Sequence, residues 1–164
     1  MDPSLAVSFL GGTAVHEQEL AAPVTLQRVA DCLRQHGFAF VEDADHPDVL
    51  RARFDDYRFQ FAVVGEGAAL QTRGRWNHSL DISRKVEMLK VCNEWNMNRI
   101  WPKVYVRRES ESSVGLYGEV AADMQAGVTD KQLDRAIECG LTTVIAFFHE
   151  VEERLGAEVA ELGD

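Results

Sequence analysis

The sequence predicts an α+β domain, an antiparallel sheet with helices packed on one of its faces, in the order α-β-β-β-β-α-β-β-α. Three observations carry that prediction. Four short runs between Phe38 and Trp76 alternate apolar and polar residues with period two, with turn residues between them. Two further runs of this kind flank a polar tip at Glu109-Ser110-Glu111. Three other segments repeat apolar residues at the spacing of a helix face.

The first helix begins after Pro23-Val24-Thr25. Thr25 is the N-cap, and Val24 with Val29 has the spacing of a hydrophobic staple. Its stripe is Leu26, Val29, Ala30 and Leu33, and Gly37 supplies the left-handed residue that ends it. Strands are expected at Phe38–Glu42, Val49–Phe54 and Tyr57–Val63, with a fourth over Leu70–Trp76. A second helix covers about Ile82–Trp95, capped by Asp81 or Ser83. Its stripe is Ile82, Val86, Leu89 and Asn93, widened by Met88, Cys92 and Trp95. Strands at Ile100–Arg107 and Val114–Ala122 form the hairpin. The last helix opens on Thr129 and Gln132, a capping box, with Val128 and Leu133 as its staple. Gly140 interrupts its apolar stripe at a cost of about 1 kcal/mol against Ala, which points to close packing or a kink there.

The 164 residues suit one domain, here 23–156, preceded by a loose N-terminal arm at 1–22 and followed by an acidic tail at 157–164. Hydrophobic residues at 46% and charged residues at 27% are ordinary for a globular chain, so a disordered or fibrous protein is excluded. Three cysteines, an odd number, fit a reducing compartment and no internal disulfide. No apolar run approaches the roughly 18–20 residues of a membrane span, and no basic leader precedes Leu5–Leu10. The expected address is the cytoplasm, with no membrane partner.

A net charge of −10 argues against coating nucleic acid or an anionic surface. The charge is unevenly placed, however. Between Arg51 and Arg108 there are 12 Lys+Arg against 6 Asp+Glu, so a basic middle lies between acidic ends.

Candidate chemistry is sparse, and no catalytic residue and no cofactor are assigned. Cys32 and His36 lie one helical turn apart, but two donors make half of a tetrahedral metal site and no further Cys/His pair has ligand spacing. A core thiol and a histidine near a helix C-terminus account for them, so no metal is expected. Cys139 and His149 are ten residues apart on one helix, too far for a nucleophile and its base. His78-Ser79 with Asp81 has no nucleophile elbow. The acid pairs Asp43/Asp45, Asp55/Asp56 and Glu152/Glu153 fall in turns or on a wet helix face. Gly11-Gly12-Thr13 and Gly65-Glu66-Gly67 lack the spacing and lysine of a phosphate loop.

One candidate site remains. Strict alternation turns Arg51, Arg53, Arg58, Arg73 and Arg75 to the sheet face opposite the core. In the later hairpin Trp101, Lys103, Tyr105 and Arg107 share a face, as do Tyr117 and Glu119. Aligned, these residues interleave arginines and aromatics, as protein interfaces do and as stacking platforms for single-stranded nucleic acid do. A solvated face neutralised by neighbouring acids has the same pattern. The overall charge favours a protein partner over nucleic acid.

Several stretches resemble the YbjN-like family, described as bacterial sensory transduction regulators. They are the Asn93-Glu94-Trp95-Asn96 helix end, the Lys103-Val104-Tyr105-Val106 strand, the Gly127-Val128-Thr129 helix entry and Phe147-Phe148. The likeness spans roughly Val24–Leu155. It implies a fold similar to type III secretion chaperones, a domain that commonly pairs into dimers, and a regulatory or chaperone-like binding role without catalytic residues. The expected function is therefore a non-enzymatic module that holds an extended segment of another protein; a nucleic-acid-binding regulator is the alternative. The stripe of the last helix continues through Val144, Phe147, Phe148 and Val151, longer than one sheet needs. These four residues are expected at a homodimer interface.

Overall fold

In the computed structural model, residues 20–161 are described, with side chains to residue 156. Helix α1 (Leu26–Gln35) is followed by strands β1 (Phe40–Glu42), β2 (Val49–Phe54), β3 (Tyr57–Val64) and β4 (Ala69–Arg75). A two-residue strand β5 (Leu80–Asp81) and one 3-10 turn lead into α2 (Lys85–Asn98). Strands β6 (Lys103–Arg108) and β7 (Ser113–Asp123) then precede α3 (Asp130–Glu161). The strands form one antiparallel sheet in the order β1-β2-β3-β4-β7, with β6 on the far side of β7 and β5 extending the β4 side. The α+β order read from the sequence is observed, with β5 as an addition too short to have a sequence period.

Local signals act as their chemistry dictates. The Thr25 hydroxyl accepts from the Arg28 amide at 3.2 Å, and Gly37 takes φ +71° where α1 ends. Thr129 and Gln132 exchange reciprocal bonds at 2.9 and 3.2 Å, completing the capping box of α3. Asp81 accepts from the Ser83 amide and opens the turn before α2. Between β2 and β3, Asp55 and Asp56 sit at φ 48° and 68°, the left-handed two-residue turn that suits the twist of paired strands.

One core lies between the sheet and the helices, and all three helices contribute to it. Leu50, Phe59, Phe61, Leu70 and Leu116 line its sheet side, alternating with the polar positions as period two requires. Helix α3 crosses β4 and β7 at unusually small separation. A β-carbon at Gly74 would fall 2.5 Å from Val144 Cγ1, and one at Gly118 3.0 Å from it. One at Gly140 would fall 2.8 Å from Thr72 Cβ. Glycine on the sheet makes room for a valine of the helix, and glycine on the helix makes room for a threonine of the sheet. The interruption at Gly140 is thus a packing position.

Helix α2 closes the far side. Trp95 packs edge-on against Phe147 at 5.0 Å and donates its indole N–H to the Pro102 carbonyl at 3.2 Å. Asn96 bonds both backbone groups of Val104, at 2.9 and 3.0 Å, and so satisfies the free edge of β6. Tyr57 and Trp76 both donate to Glu152, at 2.8 and 3.0 Å. Glu152, read from the sequence as a wet-face acid, instead ties the end of α3 to the sheet.

Three expectations need correction. The residues expected at a homodimer interface, Val144, Phe147, Phe148 and Val151, are at most 1% exposed within the single chain. Their stripe is long because α3 must cover the sheet, the Tyr57–Trp76 corner and Trp95 in succession. On α2 the buried stripe is Met88, Cys92 and Trp95, while Val86 and Leu89 are 64% and 39% exposed. Both arcs fit a helical period, and only the position of β6 chooses between them. At the ends, Ala22 of the expected arm forms a two-bond bridge with Val128, at 3.1 and 2.9 Å, and α3 continues through Glu161. The rest of the arm before Leu20, and residues 162–164 of the expected tail, lie outside the described residues. Cys32, Cys92 and Cys139 are free thiols.

Two glycine-to-alanine changes in α3 are expected to have opposite signs. At Gly156 an added β-carbon meets nothing within 4 Å, so Gly156→Ala should stabilise by up to about 1 kcal/mol through helix propensity alone. At Gly140 the overlap with Thr72 should cost on the order of 1–3 kcal/mol and outweigh that gain. Urea unfolding of both variants measures the two signs, and a stabilising Gly140→Ala would refute the close crossing.

Candidate functional site

On the opposite face of the sheet, cross-strand register assembles the arginines. One row runs Arg53, Arg58, Arg75, Tyr117, Tyr105 across β2, β3, β4, β7 and β6. The row beside it runs Arg51, Gln60, Arg73, Glu119, Lys103. Neighbouring strands lie about 4.7–4.9 Å apart, so three guanidinium-bearing residues stand side by side in the first row. The tight Asp55–Asp56 turn fixes this, because it places Arg53 directly opposite Arg58.

All of these residues except Glu119, Lys103 and Tyr105 border a hollow of about 560 Å³. Arg51, Arg53, Arg58, Arg73, Arg75, Arg107 and Tyr117 line it together with Gln60 and the apolar Ala39, Phe40, Val41, Ala52 and Phe59. No acidic residue is among the lining groups.

Acids at one end hold part of the charge. Glu109, from the β6–β7 tip, receives a two-pronged contact from Arg75, with Nε and Nη2 each at 2.6 Å. It also accepts from Tyr117 at 2.7 Å and Ser79 at 3.0 Å. Gly115 makes this fold-back possible, since a β-carbon there would lie 2.4 Å from the Glu109 carboxylate. Glu119 accepts from Arg73 at 2.9 Å, Tyr105 at 3.1 Å and Lys103 at 3.2 Å. Arg51 pairs with Asp43 at 2.7 Å. Arg53, Arg58 and Arg107 have no carboxylate partner among the described residues.

The titration of these groups follows from the contacts. The Arg75 guanidinium, helped by Tyr117 and Ser79, holds the Glu109 carboxyl down at about 2 against burial. Burial works against the charged form of Glu119 as well, and bonds from Arg73, Lys103 and Tyr105 prevail to keep it below the usual carboxylate range. Burial, and then the Glu119 charge, push the Tyr105 phenol up to about 12.

Of the residues expected at a binding face, five arginines and Tyr117 border the hollow. Tyr105 lies just beyond it, with its ring stacked on Tyr117 at 5.5 Å and 7°. Trp101 does not join them. It precedes β6, is absent from the hollow's lining and is 43% exposed. Arg107 was legible from the same alternation as Lys103 and Tyr105. Glu109 was not legible, because a polar residue at a hairpin tip carries no sign that it folds back.

A second cluster forms where α1 meets α3. Cys32 Sγ lies 3.4 Å and His36 Nε2 2.5 Å from Asp134 Oδ1. The sequence stops at two donors on one helix, and the fold supplies a third from a residue about a hundred positions away.

A sheet with helices on one face and a basic hollow on the other defines a small α+β domain. The chain belongs to the YbjN family, described as "Putative bacterial sensory transduction regulator", whose model matches residues 25–153. Among solved structures it is similar to YbjN, "a putative transcription regulator from E. coli", at 11% identity and TM-score 0.69, covering 83% of this chain and 97% of that one. An uncharacterized protein from Methanothermobacter thermautotrophicus matches at 11% identity and TM-score 0.50, covering 78% and 96%. A chain of the HopA1–SchA chaperone–effector complex matches at 15% identity and TM-score 0.45, covering 77% and 99%. No curated protein matches the sequence.

Acid sensitivity should trace to Glu109. Its carboxyl titrates near 2 in the folded chain against an ordinary 4.5, so its stabilisation is complete above 4.5 and is lost as pH falls from there toward 2. Urea unfolding between about pH 6 and pH 2 should show the stability gap between the native chain and Glu109→Gln shrinking across that window. A gap independent of pH would refute the Arg75–Glu109 assignment.

Proposed function

We propose that the protein is a non-enzymatic, cytoplasmic regulatory module that binds an extended acidic segment of a partner protein in the arginine-lined hollow. The observation that carries this reading is the set of unpartnered guanidinium groups, Arg53, Arg58 and Arg107, around a hollow with no acidic lining residue. Like charges directly opposite across strands are destabilising, so the Arg53–Arg58 pair, with no carboxylate on either residue among those described, costs stability in the free chain. A carboxylate-bearing segment laid along the row relieves that repulsion with forked contacts to arginine. Val41, beside Arg51 on the same face and 63% exposed, offers an apolar contact to a side chain of an extended strand. The reading needs no proton-transfer group. Free thiols at all three cysteines support a reducing compartment.

The nucleic-acid alternative has less support. Tyr105 and Tyr117 stack on one another, and their hydroxyls are committed to Glu119 and Glu109. The stack takes up one face of each ring, and the chain carries −10.

Pairing of two copies belongs to the same proposal, and its surface moves from α3 to α2. Val86 and Met97, 64% and 84% exposed, are three helical turns apart on one side, and Ile100 and Trp101 continue beyond them. Sedimentation equilibrium should return twice the 18.4 kDa of the chain, and Val86→Lys with Met97→Lys should return the monomer mass. A monomer in the unaltered protein would end this part of the proposal.

The hollow is tested by one substitution with two readouts. Arg58→Thr should stabilise the free chain by a few tenths of a kcal/mol, up to about 1, because the uncompensated like-charge contact with Arg53 is removed. It should also weaken binding of a fluorescent Glu-rich peptide at least tenfold. Loss of stability, or unchanged peptide affinity, would refute the reading. Preferential binding of a single-stranded oligonucleotide with a steep salt dependence would replace it with the alternative.

A further inference from the structure

We propose that Cys32, His36 and Asp134 form a binding site for a zinc-class divalent metal ion that clips the end of α1 to the first turns of α3. Cys32 lies in the last turn of α1 and His36 is the residue that caps its end, four positions on and therefore on the same side of the helix. Asp134 comes from the opening of α3, set in place by the Thr129–Gln132 capping box. The three donor atoms all lie within 4.8 Å of one another. Donors around one tetrahedral zinc ion are about 3–4 Å apart, given bonds of about 2.0–2.3 Å. The 3.4 Å separation of Sγ and Oδ1 already matches, and the 2.5 Å separation of Nε2 and Oδ1 must open by less than an ångström or so.

The surroundings hold the donors in place. The His36 ring stacks on Phe38 at 5.6 Å, and Phe38 packs edge-on against Phe54 at 4.9 Å. Cys32 is buried, whereas the His36 and Asp134 side chains are 48% and 41% exposed, so an ion has a path from solvent. His36 and Asp134 also form part of the wall of a groove of about 380 Å³, which leaves a fourth coordination position open to solvent. One sulfur, one imidazole nitrogen and one carboxylate oxygen select zinc, cobalt or nickel over calcium and magnesium, which prefer oxygen alone. On binding, the Cys32 S–H bond breaks and its proton goes to solvent, and the His36 Nε2–H that faces Asp134 is given up by way of solvent, with Nδ1 keeping or taking the ring's one remaining proton; the freed electron pairs of sulfur and Nε2 form the bonds to the metal. Asp134 exchanges its two hydrogen bonds for a metal bond. The cross-link joins residues about a hundred positions apart, so it should raise the stability of the whole domain.

Cobalt(II) titration of the full chain, stripped with a chelator, tests the site. One equivalent should produce a thiolate-to-cobalt charge-transfer band in the near ultraviolet with visible tetrahedral bands, and zinc should displace both. The thermal midpoint should rise on adding zinc. Cys32→Ser should abolish the charge-transfer band, whereas Cys139→Ser should keep it. Asp134→Asn keeps the side-chain shape and should weaken cobalt binding at least about tenfold with an unchanged circular dichroism spectrum. No saturable band in the native chain, or a band that survives Cys32→Ser, would overturn the proposal and leave a hydrogen-bonded helix contact.

Discussion

The close crossing of α3 over β4 and β7 is the contact on which the rest of the molecule depends. It exists because Gly74 and Gly118 remove two β-carbons from the sheet beneath Val144, and Gly140 removes one from the helix above Thr72. With the helix seated this deeply, Phe147 and Phe148 reach the core in succession and are fully buried. Trp95 then has an aromatic wall to pack against, and Glu152 falls within reach of both Tyr57 and Trp76. Remove the glycines and the helix must rise from the sheet, and each of these contacts loosens with it.

The same arrangement accounts for the opposite face. One face of an antiparallel sheet can satisfy the hydrophobic requirement of a domain this size, leaving the other to water. Here that free face carries rows of arginine whose charges are only partly balanced. Glu109, Glu119 and Asp43 hold Arg75, Arg73 and Arg51, while Arg53, Arg58 and Arg107 stay open around the hollow. A face selected for solubility alone would intersperse acids among them. Arg58 directly opposite Arg53, with no carboxylate on either among the described residues, is the like-charge contact on which the proposed binding role rests.

Membership of the YbjN family and the likeness to the solved structure of YbjN from E. coli agree on the fold, and the family carries the description of a regulator. Neither identifies a ligand, so the functional reading rests on this chain's own charge distribution. It is also compatible with the site proposed at Cys32, His36 and Asp134, because that cluster lies at the helix layer and shares no residue with the arginine hollow. One face would meet the partner while the other secures the helices that support it.

What the sequence determined by itself is local and periodic. Alternation placed Arg51, Arg53, Arg58, Arg73 and Arg75 on one face, because a strand's side chains have no other choice than to alternate. The Thr25 cap, the Thr129–Gln132 box and the Gly37 terminus were readable because each is satisfied by residues within four positions. Only the tertiary structure decided which of two apolar arcs on α2 is buried, since Met88–Cys92–Trp95 and Val86–Leu89 satisfy a helical period equally well. It likewise enclosed Val144, Phe147, Phe148 and Val151, whose stripe predicts burial without naming what covers it. Glu109 closing over Gly115, and Asp134 meeting Cys32 and His36, depend on chain reversals and on a contact between distant segments. No periodicity encodes such meetings, because they are fixed by where whole elements come to rest and not by the spacing of residues within them.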